Sequence, residues 1–116
     1  MGVEAKVRAA LAKEFRQAFG ERILQVGSKL NGEPGYKSFD AVSSDDRVVA
    51  MVKDFSAQNL AGNQTRHARV IRDLYYLYLV EADKRFMYLS ADFYKWFIGQ
   101  GDASVARGIE VRIIPD

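Results

Sequence analysis

The stretch "YKSFDAVSSDDRVVAMVKDF" limits the fold more than any other part of this chain. Two extended apolar runs, Tyr36 to Val42 and Arg47 to Phe55, flank the polar "SSDD", the pattern of a β-hairpin with a short loop. A symmetric loop sets the register, with Ser43 facing Val48, Val42 facing Val49, Ala41 facing Ala50 and Asp40 facing Met51. Directly opposed residues point to the same side and side chains alternate along a strand. Asp40, Met51 and Lys53 are therefore expected to project together at one end of the hairpin.

The flanking sequence supplies helices and further strands. From Val3 to Phe19 the apolar residues recur every three or four positions, which predicts an amphipathic helix stopped at Gly20. "RILQVGSKL" reads as a short strand and the turn-rich "NGEPGY" as a loop. After a second loop, "SAQNLAGNQT", a long helix is expected from about Gln64 to Asp83, with a broad, largely buried stripe through Val70, Ile71, Leu74, Tyr75, Leu77, Tyr78 and Val80. "RFMYLS" then reads as a buried strand, "SADFYKWFIG" as a short helix capped by Ser90 and stopped at Gly99, and "GIEVRIIP" as a last strand closed by Pro115. The order α, β, β, β, α, β, α, β predicts a single α/β domain over residues 1–116. Its mixed sheet would be an antiparallel meander extended by strands joined through helices, with helices on its faces.

Composition narrows the function classes. The chain has 116 residues and no cysteine, so disulfides and thiolate metal sites are excluded, and a cytoplasmic location is expected. No apolar run is long enough to span a membrane, and Lys6 breaks the myristoylation pattern that Gly2 would open. A net charge of +2 is too small to imply nucleic acid by itself, so any basic patch must be local. No Walker loop, dinucleotide fingerprint, HExxH or nucleophile elbow occurs.

An acid, a second position across the ladder, and a lysine one step further along the same face form the outline of a metal-dependent phosphodiester hydrolase site. Two carboxylates there hold Mg²⁺, and the lysine orients the attacking water or balances developing charge. On "FDAVSSDDRVVAMVK" the chain resembles the PD-(D/E)XK nucleases, the restriction-endonuclease-like superfamily. Asp40 stands at the first acidic position and "MVK", Met51 to Lys53, at the (D/E)XK tripeptide. The resemblance implies that fold over most of the chain, a nucleic-acid partner, most naturally DNA, and Mg²⁺ if the domain is an active hydrolase. Asp40 and Lys53 would then be catalytic residues.

Met51 departs from the motif, because a neutral thioether is a poor ligand for hard Mg²⁺. Three explanations stand side by side: hydrolysis is lost and binding kept, an acid from elsewhere substitutes, or Met51 is not the natural residue. Glu14 is the leading substitute as catalytic residue and metal ligand with Asp40. It follows Leu11 by three and precedes Phe15 on the first helix's stripe, and a first-helix glutamate often reaches the metal site in the resembled family; a glutamate reaching to water is the plain alternative. Asp54 points to the other face.

Arg66, His67, Arg69 and Arg72 open the long helix, where arginines would hold a phosphate backbone, and Lys29 and Lys37 flank the "NGEPG" loop. We expect Lys29, Lys37, Arg66 and Arg69 to bind nucleic acid if the resemblance holds. His67 has no second histidine for a metal pair. Tyr75, Tyr76, Tyr78, Phe93, Tyr94, Trp96 and Phe97 have helical spacing and read first as packing of helices on the sheet, with base stacking as the alternative. The competing readings are a regulatory module on the same fold that holds a protein partner or dimerises, and an unrelated α/β domain.

Overall fold

The computed structural model describes residues 2–30, 33–55, 60–99 and 108–116. Its elements run α1 (Val3–Phe15), β1 (Phe19–Leu30), β2 (Glu33–Ser43), β3 (Val48–Lys53), α2 (Leu60–Leu79), β4 (Lys84–Leu89), α3 (Ala91–Gly99) and β5 (Glu110–Ile113). The strands form one mixed sheet in chain order: β1, β2 and β3 are antiparallel, and β4 and β5 add in parallel. The element order is the one the sequence predicts, and among the described residues no helix is long and apolar enough to cross a membrane.

Several boundaries move, each for a local reason. The first helix ends at Phe15 because Arg16 turns left-handed (φ 57), and Phe19 enters β1 opposite Ser43. The Phe15 and Phe19 rings still meet at 6.1 Å, so the spacing read as helical is realised across a turn. The "NGEPGY" loop shrinks, since Glu33 onward is strand and residues 31–32 lie outside the described set. Of the second expected loop, residues 56–59 lie outside that set, and α2 starts at Leu60 rather than Gln64. It stops at Leu79, not Asp83, because Val80 bridges to Val26 of β1 and the Asp83 and Lys84 amides donate to the Arg47 carbonyl, turning the chain into β4. Ser90 precedes α3 and its carbonyl accepts from Tyr94 N, but its hydroxyl donates to the Phe55 carbonyl instead of capping the helix.

The sheet has apolar layers on both faces. Along β3, Val49 and Met51 join Val42, Phe39, Met87 and Leu89 under α2 and α3. Val48, Ala50 and Val52 join Ala41, Phe86 and Tyr88 under Val7 and Leu11 of α1. β3 is therefore buried on both sides, as expected for a strand between an antiparallel and a parallel neighbour with helices above and below.

One irregularity shapes everything near the presumed site. Gly20 pairs with Val42 but Arg22 pairs with Phe39, so two steps on β1 meet three on β2. This is a β-bulge, with its extra residue at Asp40 and Ala41. It lets Phe39 and Val42 both face α2 while Ala41 faces α1.

Candidate functional site

The hairpin register is as expected where it is regular, with Ala41 opposite Ala50 and Val42 opposite Val49. Beyond that point the bulge redirects Asp40. Its carboxylate does not stand beside Met51; it turns between the strands and accepts the Val52 amide at 2.7 Å, in place of a ladder carbonyl. The Asp40 carbonyl accepts from Arg8 of α1 at 2.8 Å. Met51 is sealed in the core at 2 % exposure. The position expected for a second carboxylate is occupied by core packing.

Lys53 continues the alternation of β3 and reaches the α2 side, where its ammonium lies 2.5 Å from Asp73 Oδ2. Asp73 is completely buried. Lys37 stands 3.9 Å and Arg72 4.0 Å from its other oxygen. Neither oxygen receives a well-directed hydrogen bond among the described residues, so charge attraction is what holds the carboxylate there. Lys37 is further held 5.1 Å above the Tyr76 ring, a cation–π contact.

Burial pushes the Asp40 carboxyl above the ordinary aspartate range. The Val52 amide and the charge of Lys53 oppose that shift, while Glu4 and Asp73 add to it. Asp40, Lys53 and Asp73 thus belong to one electrostatic cluster. As pH rises, unfolded Asp40 loses its proton first, so its contribution to stability is greatest below the ordinary value, about 4, and declines as pH climbs through the raised folded value. We expect the stability difference between wild type and Asp40→Asn, from urea midpoints, to fall with pH across that window. Glu14 and Asp45, whose carboxyls are held low by Arg112 and Ser43 respectively, contribute the opposite slope to both proteins and cancel. A difference that rises with pH would contradict the half-buried placement of Asp40.

Glu14 does not join this cluster. It lies on α1 and makes a two-oxygen ion pair with Arg112 of β5, at 2.7 and 3.1 Å. The Arg112 guanidinium stacks 4.2 Å over Phe86 and donates to the Tyr88 hydroxyl, both in the layer under α1. The lysine ammonium is on the α2 side of the sheet and the glutamate on the other. The structure thus places Glu14, expected as an auxiliary metal ligand, against an arginine of the edge strand β5 and does not bring it to Asp40 and Lys53.

The remaining basic residues separate in the same way. Arg69 is exposed and Arg72 is 60 % exposed, whereas Arg66 is half-buried with its guanidinium 5.7 Å from the Phe55 ring. His67 packs its ring 5.6 Å from both Trp96 and Phe97, a structural placement. The side chain of Lys29 lies outside the described residues.

Asp73 is the residue that sequence reasoning missed. It stands three residues after Val70, one before Leu74 and four before Leu77, on the buried stripe of α2. The rule that singled out Glu14 on the first helix applies to it equally well.

The donor set does not suit Mg²⁺. Hard divalent cations need several oxygen ligands, yet one Asp40 oxygen is taken by Val52 N–H, Asp73 is committed to cations, and Met51 is a buried thioether. Among the described residues no three of His, Asp and Glu gather to hold a metal ion. No protein-family model matches the chain, and no curated protein or solved structure matches it.

Proposed function

We propose that this chain is a nucleic-acid-binding domain of PD-(D/E)XK type that binds the phosphate backbone without hydrolysing it. The observation that carries the reading is the charge balance around Asp73: one buried carboxylate with three cations, Lys53, Lys37 and Arg72, within 4.0 Å. Exposed Arg69 lies one helical turn away, so this side of α2 has a positive excess although the whole chain carries only +2. Phosphates take such a field as sequence-independent affinity. The hairpin, with an acid and a lysine in one electrostatic cluster, supports kinship with the nucleases, and the commitment of Asp40 to the Val52 amide and of Asp73 to Lys53 favours binding over cleavage.

Fluorescence anisotropy with labelled oligonucleotides over a salt series tests this. Wild type is expected to bind with log affinity falling linearly in log salt. Arg69→Ala/Arg72→Ala is expected to weaken binding of all sequences alike and reduce the slope by about two, near one per lost phosphate contact. Wild type without salt-dependent affinity ends this reading. In that case a solution mass above the monomer would favour the protein-interaction module, for which one observation speaks. Ile23 and Tyr36, 69 % and 65 % exposed, stand together on the side of the β1–β2 ribbon turned away from α2.

A further inference from the structure

The aromatic residues of α2 divide in a way that spacing alone does not reveal. Tyr76 is partly buried against the core and held by Lys37, while Tyr75 and Tyr78 turn outward, 60 % and 43 % exposed. The expectation that all three serve as packing is therefore corrected for two of them. Partly exposed large aromatics are the more informative case, since each presents apolar surface that a ligand could cover.

Their surroundings define what could cover them. Tyr75 and Tyr78 border a shallow recess of about 160 Å³ with Ile71 and Leu74. That is well below the several hundred Å³ of a pocket that encloses a whole small molecule, so it suits one face of a planar ring. Three residues before Tyr75 stands Arg72, and three before that, Arg69, both exposed. Between Gln64 and Leu79 the only acid is Asp73, and it is buried. The accessible surface of α2 in that span therefore offers arginine and tyrosine side by side, with no exposed carboxylate. Its complement is a polyanion that also presents flat aromatic faces.

We infer that Tyr75 and Tyr78 form a stacking platform for unpaired bases, so that the nucleic acid bound at this surface is single-stranded. This rests on the nucleic-acid reading above and adds the class of strand. Residues three apart on a helix are neighbours on its surface, so the two rings stand side by side along one recess of α2. Arg69 and Arg72 then meet the phosphates that lead to those bases. A duplex hides its base faces in the stack and could use the arginines alone. Base stacking on aromatic side chains tolerates any sequence.

The test compares anisotropy titrations of a short oligothymidylate and of a duplex of equal length against wild type, Tyr75→Ala/Tyr78→Ala, Tyr75→Phe/Tyr78→Phe and Arg69→Ala/Arg72→Ala. We expect wild type to prefer the single strand, and the alanine pair to lose about tenfold or more of that affinity per ring. The phenylalanine pair should retain it, and duplex affinity should be unchanged in both. The arginine pair should weaken both ligands. Thermal unfolding of each variant controls for folding, and because both tyrosines are exposed, the transitions should stay near that of wild type. Single-strand affinity unchanged in the alanine pair, with loss in the arginine pair, overturns the platform and leaves nucleic-acid binding standing. Loss of self-association in the alanine pair, with oligonucleotide affinity unchanged, overturns it in favour of a protein contact. No salt-dependent binding of either ligand by wild type overturns the reading beneath it.

Discussion

Met51→Glu is expected to unfold the domain more readily and not to complete a metal site. The motif invites this substitution, since it restores the tripeptide in sequence. In space, Met51 faces α2 and α3 among Val49, Met87, Phe93 and other fully buried apolar groups, and is 2 % exposed. A carboxylate there would lose its water among apolar side chains. The Lys53 ammonium, two residues further along β3, is already 2.5 Å from Asp73. Burial of this kind raises a glutamate by three units or more, which corresponds to about 4 kcal/mol at neutral pH. We expect urea unfolding to show a loss of that order at pH 7. The loss should shrink as the pH falls toward the ordinary glutamate value, because the unfolded chain then also takes up the proton that the folded chain already holds. Met51→Leu, nearly conserved in volume, is expected to cost less than about 1.5 kcal/mol. An unchanged midpoint for Met51→Glu, or one raised by Mg²⁺, would show that the side chain reaches a polar site and that the motif is intact.

The sequence made the strand count, the helix order and the hairpin register legible, because these depend on periodicity and turn chemistry that act over a few residues. Ala41 and Ala50 meet as a symmetric loop requires. What could not be read was the bulge one residue further on, since it arises from the pairing of β2 with β1 and not from the hairpin itself. That single inserted residue turns the Asp40 carboxylate from the sheet face into the gap beside Val52. The fate of Glu14 was equally invisible, because Arg112 lies 98 positions away in sequence. Asp73 was a different kind of miss. Its place on the stripe of α2 marked it as a buried acid, and a buried acid demands a cation, so Lys53 was a partner open to inference before any coordinates.

That pairing leads to the second large effect. Lys53→Met removes the ammonium while keeping most of the apolar stem, and leaves Asp73 buried with only Lys37 and Arg72 near it. Breaking a buried pair from one side typically costs 3–5 kcal/mol. With two more distant cations in partial compensation, we expect about 3 kcal/mol in urea unfolding. Asp73→Leu should also destabilise, since it leaves Lys53 near an apolar wall, although at 24 % exposure the ammonium has some access to water. The double variant Lys53→Met/Asp73→Leu removes both charges and should recover most of either loss, giving a coupling energy of a few kcal/mol. Simple addition of the two single effects would mean that the ion pair contributes nothing to the fold. The same double variant separates scaffold from interface, because it removes one charge of each sign and leaves Arg69 and Arg72 in place. If its oligonucleotide affinity and salt slope match those of wild type, Lys53 anchors α2 to the sheet and the exposed arginines carry the phosphates. If the slope falls by about one, Lys53 meets a phosphate itself. The lysine that first drew attention as a catalytic group would then be a binding group as well as half of a buried ion pair.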